Sequence, residues 1–89
     1  MSYEIRWDKK ALEFLRKLNK TDARRIIKKV NDIKDYPAHF LEGLTEINSH
    51  KLRIGDYRVI IDLNETDKIV SVVLIGHRKD IYKRLRRGK

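Results

Sequence analysis

Residues 51–61 read Lys-Leu-Arg-Ile-Gly-Asp-Tyr-Arg-Val-Ile-Ile, and this stretch decides the fold. The pair Gly55-Asp56 lies between two runs in which apolar and polar residues alternate. This pattern is typical of a β-hairpin with a two-residue turn of type II′, in which glycine takes the first central position with positive φ. Because side chains alternate along a strand, one face of the hairpin is predicted to be apolar and to join the core. That face consists of Leu52, Ile54, Tyr57, Val59 and Ile61.

The other face of the predicted hairpin is basic. It carries Lys51, Arg53 and Arg58, and the register that the turn imposes places Arg53 directly opposite Arg58. Like charges that face each other across two strands destabilise a sheet by a few tenths to about 1 kcal/mol. The arginine pair therefore indicates a site that is occupied by an anion, and we predict a phosphate.

Length and composition restrict the class of protein. The chain has 89 residues, which we interpret as a single domain spanning residues 1–89. It has 22 basic and 13 acidic side chains, a net charge of +9, and no cysteine. The charge favours an anionic partner, which leaves nucleic acid, an acidic protein or a membrane surface. The absence of cysteine excludes disulfides, thiolate zinc sites and thiol catalysis.

No stretch of the sequence reaches the roughly 20 apolar residues that cross a bilayer, and the first residues do not resemble a signal peptide. We therefore expect a cytoplasmic protein without a membrane partner.

The residues before the hairpin predict a strand and two helices. Residues 3–7 alternate as a strand does, and Asp8 is placed to cap a helix over residues 9–18. Asn19 or Thr21 is predicted to cap a second helix, which would end at Tyr36-Pro37. The two apolar stripes of this helical hairpin are expected to cover one face of a sheet. Basic side chains would remain on its outside: Lys17, Lys20, Arg24, Arg25, Lys28 and Lys29.

Residues 38–48 show no sustained period, and we interpret them as a loop that holds a short strand or turn. After a turn over residues 64–68, residues 69–75 are almost continuously apolar and predict the central strand, covered on both faces. Gly76 is expected to end this strand.

A short C-terminal helix is predicted from Arg78 to about Arg86, with Ile81 and Leu85 as its apolar anchors. Since Arg78 and Tyr82 are four residues apart, they would project from the same side of that helix. The complete pattern predicts an α+β fold: an N-terminal strand, a helical hairpin, antiparallel strands and a short C-terminal helix.

Histidines do not predict a metal site. His39, His50 and His77 are 11 and 27 residues apart, without the paired spacing that builds a site on one element, so we expect neither metal nor cofactor. His50 and His77 are a conceivable acid–base pair, although two partly exposed polar side chains are the simpler interpretation. What remains is the cationic cluster of Lys51, Arg53, Arg58 and Arg78 near Tyr82, and by its residues alone it is equally compatible with a solvated basic face.

The hairpin motif K-L-R-I-G-D-Y-R, followed by Ile75-Gly76-His77-Arg78 and Asp80-Ile81-Tyr82, resembles the RelE toxins of bacterial and archaeal toxin–antitoxin systems. The elements of the whole chain follow in that family's order, with Ser49 at a place where some members have a further lysine. The resemblance implies a RelE-like fold, in which helices pack on a small twisted sheet. It also implies a ribosome-dependent endoribonuclease that cleaves mRNA in the ribosomal A site.

The resemblance also implies which residues act. Lys51, Arg58, Arg78 and Tyr82 match positions with catalytic or RNA-contacting side chains, and Arg53 is a nearby basic position. We also expect three basic residues of the C-terminal segment to bind RNA: Lys79, Lys83 and Arg86.

In the expected mechanism the ribose 2′-hydroxyl attacks the adjacent phosphate, Arg58 clamps that phosphate and Arg78 stabilises the leaving oxygen. Lys51 is expected to be the general base, because the neighbouring arginines should lower its pKa. Tyr82 would stack on a base or carry a proton.

The resemblance also implies partners, namely a RelB-like antitoxin, the ribosome and mRNA. An acidic or amphipathic antitoxin segment is expected to cover the hairpin and the C-terminal helix, with a monomeric toxin inside a hetero-oligomer. Two alternatives stay open. One is a toxin of the sister ParE branch, which inhibits DNA gyrase, and the other is a small RNA-binding domain without chemistry.

Overall fold

A computed structural model of the protein describes residues 2–44 and 49–87. The predicted irregular segment therefore lies partly outside the described residues, at 45–48. The described chain forms five strands and three α-helices, which confirms the α+β prediction. In chain order they are β1 (Glu4–Trp7), α1 (Lys9–Lys17), α2 (Lys20–Asp32), a 3-10 turn (Pro37–His39), β2 (Glu42–Gly43), β3 (Ser49–Ile54), β4 (Tyr57–Asn64), β5 (Ile69–His77) and α3 (Ile81–Arg87).

The strands form one sheet in the order β1-β5-β4-β3-β2. β1 pairs with β5 in parallel, and the other neighbours are antiparallel. The prediction that residues 69–75 form the central strand is wrong in detail, because β4 lies in the middle and β5 lies between β1 and β4. Both strands are interior, which explains why both read as apolar runs.

The β3–β4 hairpin has the predicted register. Arg53 lies opposite Arg58, and Ile54 lies opposite Tyr57. Gly55 has a φ of +57°, and of the described residues it shares positive φ only with Lys68, as the type II′ turn requires. A Cβ added to Gly55 would lie 2.9 Å from the guanidinium nitrogens of Arg25 on α2, so this glycine also allows the turn to approach the helix.

The core is divided between the two faces of the sheet. On one face α1 and α2 close a large cluster, which includes the predicted hairpin face of Leu52, Ile54, Val59 and Ile61, with Tyr57 partly buried against it. On the other face a small cluster joins Ile60, Leu74 and Ile81, with Leu44 and Leu85 packed against it. We call these the helical-hairpin face and the α3 face.

The helix boundaries follow the predicted caps only in part. Asn19 caps α2, since its side chain accepts a hydrogen bond from the backbone N–H of Asp22. Asp8 occupies the N-cap position of α1 but makes no side-chain capping bond. The prediction that α2 ends at Tyr36-Pro37 is wrong, because α2 ends at Asp32 and Pro37 begins the 3-10 turn.

The C-terminal segment differs from the prediction at two points. Gly76 does not end β5, which continues to His77. Instead, this glycine makes room for α3, because a Cβ there would lie 2.8 Å from Cδ1 of Ile81. The helix begins at Ile81, so Arg78 lies in the preceding turn and does not share a helical side with Tyr82.

Leu12 on α1 and Ile27 on α2 are large apolar residues that are nevertheless exposed. Among the described residues, every helix is too short or too polar to cross a lipid bilayer.

Candidate functional site

An open groove of about 400 Å³ lies on the α3 face, at the end of the sheet where the hairpin meets the C-terminal turn. β2 and β3 contribute to it from one side, β4 from its floor and the turn before α3 from the other side, while α3 itself contributes Tyr82. It is lined by Glu42, Lys51, Arg53, Arg58, Arg78, Lys79 and Tyr82. Among the described residues, five cations and a single carboxylate therefore meet in one place, which makes the groove suited to an anion with several charges.

Lys51 is held in the groove by two side-chain partners. Its Nζ donates to the hydroxyl of Tyr82 at 2.9 Å and lies 3.0 Å from Oε2 of Glu42. The hydrogen bond to Tyr82, followed by that to Glu42, raises the pKa of Lys51. The prediction that neighbouring arginines lower this pKa is therefore wrong, and Lys51 stays a cation across the neutral range.

Arg58 lies at the floor of the groove and is only 8% exposed. Its Nη1 donates to the backbone oxygens of Gly55 and Tyr57, both at 2.8 Å. The Arg53–Arg58 pairing is therefore tolerated without a bound anion, because the turn carbonyls accept hydrogen bonds from the Arg58 guanidinium. They also fix the guanidinium in one orientation, and both bonds come from a single nitrogen of the fork.

Arg78 is anchored to the hairpin rather than to α3. Its backbone N–H donates to the carbonyl of Asp56 at 2.7 Å, and its Nε lies 3.6 Å from Oδ1 of the same residue. The turn at Gly55-Asp56 thus holds the C-terminal turn in place, and Arg78 and Tyr82 reach the groove from different elements. The predicted proximity is confirmed, but its cause is this contact between turns and not the four-residue helical spacing.

The remaining predicted residues divide between the groove and the surface outside it. Arg53 and Lys79 line the groove, whereas Lys83 and Arg86 are exposed on α3 and are not among its lining residues. The proposed histidine pair does not assemble there: His77 packs edge-on against Tyr57 at 6.1 Å, and neither it nor His50 lines the groove. The described residues include no group of three or more His, Asp or Glu side chains that is arranged to hold a metal ion.

Sequence reasoning missed Glu42. This residue lies on the two-residue strand β2, directly opposite Lys51 in the register of β2 and β3. The ion pair with Lys51 lowers the pKa of Glu42, so its carboxylate remains charged at neutral pH. No periodic pattern marks residues 38–48, and a strand of two residues is too short to give one. Only the register places this carboxylate in the groove.

The comparisons of this chain with protein-family models and with known proteins agree with each other. Residues 5–82 match the model of a family described as the ParE toxin of type II toxin–antitoxin systems. The mRNA interferase toxin RelE of Escherichia coli is 29% identical over 82 residues, which cover 89% of this chain and 86% of that protein.

Solved structures agree with these sequence relatives. A chain of the archaeal RelE–RelB complex from Pyrococcus horikoshii matches with a TM-score of 0.73 and 28% identity, covering 88% of this chain and 97% of that one. A chain of a toxin–antitoxin complex from Mycobacterium tuberculosis has a TM-score of 0.79 at 20% identity, with 88% of this chain and 100% of that one covered, and it supports the fold alone. The resemblance to RelE toxins that the hairpin motif indicated is confirmed.

Proposed function

Since the chain belongs to the ParE toxin family of type II toxin–antitoxin systems, we propose that it inhibits translation as a ribosome-dependent endoribonuclease that cleaves mRNA in the A site. The observation that carries this proposal is the convergence of Lys51, Arg58, Arg78 and Tyr82 on one groove from two distant parts of the chain, the β3–β4 hairpin and the C-terminal segment. The sequence relative from Escherichia coli is named an mRNA interferase, which supports the nuclease branch of the family.

The proposed reaction uses the nucleophile that RNA itself supplies. The 2′-hydroxyl loses its proton to water as its oxygen forms a bond to the adjacent phosphorus. The bond from phosphorus to the 5′-oxygen breaks, and the 5′-oxygen gains a proton, so the products are a 2′,3′-cyclic phosphate and a 5′-hydroxyl. Negative charge gathers on the phosphate oxygens as this happens, and preorganised cations stabilise that charge. The reaction requires no metal ion.

Each cation has a distinct position for this task. Arg58, fixed at the floor by the turn carbonyls, presents the rest of its fork to the phosphate. Lys51 supplies a positive charge rather than a base, because its raised pKa keeps it protonated. Arg78 on the opposite wall stabilises the leaving 5′-oxygen, and its guanidinium is too weak an acid to serve as the main proton donor.

Tyr82 is placed to handle a proton or to stack on a base. Its hydroxyl oxygen accepts the bond from Lys51, so its own O–H remains able to donate to a substrate oxygen. Its ring is exposed enough to receive a splayed nucleobase.

The ribosome is needed because the groove positions charge but supplies no strong base. Alignment of the 2′-hydroxyl with the scissile bond contributes several kcal/mol when the substrate is held rigidly. A translating ribosome holds the A-site codon in a defined geometry, whereas free RNA does not. We therefore expect slow or no cleavage of free RNA, and a cytoplasmic site of action.

A RelB-like antitoxin is the proposed partner that keeps the toxin inactive. Structural relatives were solved as RelE–RelB complexes. A net charge of +9 on 89 residues favours an acidic or amphipathic segment that covers the groove.

A second candidate function, inhibition of DNA gyrase, is favoured by the name of the matching family model. The two functions are separated by adding the protein to translating ribosomes and to a gyrase supercoiling reaction in parallel. Primer extension that shows new mRNA ends with codon periodicity, with supercoiling intact, supports the nuclease. Intact mRNA with blocked supercoiling would establish the gyrase function. RNA binding with neither effect would identify a binding domain without chemistry.

A further inference from the structure

Glu42 places a negative charge inside a groove whose other charged side chains, among the described residues, are cations. Among the residues that line the groove in the described part of the chain, it is the single carboxylate. Its Oε2 lies 3.0 Å from Nζ of Lys51, and its side chain is 64% exposed, compared with 18% for Lys51. The carboxylate therefore approaches the ammonium from the solvent side, which is the side from which RNA must arrive.

The position of the Glu42 carboxylate is one that a phosphate oxygen would take. Charge-assisted bonds from an ammonium to a carboxylate and to a phosphate have similar lengths, about 2.7 to 2.9 Å. Lys51 also donates to Tyr82, which occupies a second of its three N–H directions. Glu42 and a substrate phosphate thus compete for the same ammonium.

The other anchors of the groove do not compete in this way. Arg58 bonds neutral backbone carbonyls and keeps its full charge for an anion. Arg78 has an acidic neighbour in Asp56, but its Nε lies 3.6 Å from that carboxylate, and Asp56 does not line the groove. The Glu42–Lys51 pair is therefore the shorter of the two ion pairs, and the one that a substrate must break.

We propose that Glu42 is the counter-ion that a substrate phosphate displaces from Lys51, and that this displacement makes the groove selective for RNA held in place over RNA free in solution. The selectivity rests on the proposed nuclease function, whereas the displacement concerns binding alone. An RNA fixed on the ribosome presents its phosphate at a high effective concentration and displaces the carboxylate. An RNA strand free in solution lacks this advantage and must displace the carboxylate through its own weak affinity for the groove.

Salt dependence gives a direct measure of the displacement. When a phosphate takes Lys51 from Glu42, one ion pair replaces another, so this contact adds little net charge neutralisation. Without the Glu42 charge, Lys51 neutralises one further phosphate and releases one further counter-ion. For single-stranded nucleic acid, each such contact steepens the slope of the logarithm of the binding constant against the logarithm of the salt concentration by about 0.7.

The test compares Glu42→Gln with Glu4→Gln, which makes the same change in net charge outside the groove. Glu4 is a matched control because it is also on a strand, is 61% exposed and pairs with Arg6 at 2.6 Å. The probe is a short single-stranded RNA with 2′-O-methyl groups, which cannot be cleaved. We expect Glu42→Gln to bind this RNA about 2- to 5-fold more tightly than the wild-type protein does at low salt, because an ion pair on the protein surface contributes a free energy of that order. Its salt slope should steepen by about 0.7, and that of Glu4→Gln should not.

A cleavage measurement then tests the selectivity. The ratio of free-RNA cleavage to ribosomal cleavage should rise in Glu42→Gln and stay constant in Glu4→Gln.

Equal affinities and slopes for the two variants would overturn the proposal, since the gain would then reflect net charge alone. Wild-type binding combined with lost ribosomal cleavage in Glu42→Gln would also overturn it, because Glu42 would then act in the chemical step. If the wild-type protein binds RNA but cleaves nothing on ribosomes, the nuclease function fails, and the salt slopes still decide whether displacement occurs.

Discussion

The two faces of the β-sheet are covered to very different extents. The helical-hairpin face is closed by α1 and α2 over a large apolar cluster. Among the described residues, the α3 face buries the small cluster of Ile60, Leu74 and Ile81, with Leu44 and Leu85 packed against it, and the same face carries the cationic groove. The helical-hairpin face thus supplies most of the apolar burial that stabilises the fold, and this allows the α3 face to gather like charges that would destabilise a sheet without such support.

The hairpin connects the two faces because its side chains alternate between them. Leu52 and Val59 point into the helical-hairpin face, while Arg53 and Arg58, one residue along each strand, point to the groove. A shift of the register by one residue would exchange these sets and destroy both the core and the groove. The Gly55-Asp56 turn fixes this register and also anchors Arg58 and Arg78.

The largest effect is expected from a cavity in the helical-hairpin face. Ile26 on α2 is fully buried, and Ile26→Ala should lower the free energy of unfolding by about 4 kcal/mol. For a domain of this size that corresponds to a fall in melting temperature of about 15 to 30 °C. Thermal and urea denaturation measure the change. The neighbouring Ile27 is 45% exposed and serves as a control, since Ile27→Ala should cost less than about 1 kcal/mol. Equal losses for the two variants would show that this face does not carry the stability.

A smaller effect is expected when the charge of Lys51 is removed from the groove. Lys51→Ala should slow ribosomal cleavage by about 10- to 100-fold, whereas Lys51→Arg, which keeps the charge but cannot act as a base, should stay within about 3-fold. Because the pKa of Lys51 is raised above its ordinary value of about 10.4, its titration should add no step to the rate between about pH 7 and 9. Initial rates across this range measure both points. If Lys51→Arg is as slow as Lys51→Ala, the result would indicate that Lys51 acts as the general base.

The smallest effect is expected at the polar edge of the helical-hairpin face. The hydroxyl of Tyr57 donates to Asp22 at 2.9 Å, so Tyr57→Phe should cost about 1 kcal/mol of stability at neutral pH and leave cleavage unchanged. The hydrogen bond to Asp22 raises the pKa of Tyr57, so the hydroxyl keeps its proton more strongly when folded. Its contribution is complete below about pH 10 and is lost as the pH rises through the folded pKa. Urea unfolding of the wild-type protein and of Tyr57→Phe should show that their difference in free energy of unfolding is smaller at alkaline than at neutral pH. A difference that stays constant would contradict the role of this hydrogen bond.

Much of the fold follows from local patterns in the sequence. The Gly55-Asp56 turn fixed the hairpin register, and Asn19 marked the start of α2, because turn and cap chemistry act over a few residues. The order of the strands is less accessible, since no local pattern distinguishes β4 from β5 as the middle strand when both are buried on two faces. The role of Gly76 was misread because its reason is the approach of Ile81, a tertiary contact.

Six of the seven described residues that line the groove were named from the sequence, whereas Glu42 and the electrostatics of Lys51 were not. The basic face of the hairpin and the resemblance to RelE toxins together selected Lys51, Arg58, Arg78 and Tyr82, which the structure brings into one groove. The pKa direction of Lys51 was predicted wrongly, because its dominant neighbours are Tyr82 and Glu42 rather than the arginines. Neither neighbour is adjacent to Lys51 in sequence, and the contact with Glu42 depends on the pairing of β2 with β3.

The single-turnover rate of A-site mRNA cleavage by Arg58→Ala decides whether the groove on the α3 face is the active site. Arg24→Ala is the matched control, because Arg24 is an exposed arginine on α2 outside the groove. Melting temperatures confirm that both variants are folded under the assay conditions. We expect Arg58→Ala to be slower by about 10²- to 10³-fold, the loss typical of removing one group that stabilises a transition state, and Arg24→Ala to match the wild-type protein. A folded Arg58→Ala protein that cleaves at the wild-type rate would show that the groove is not the active site.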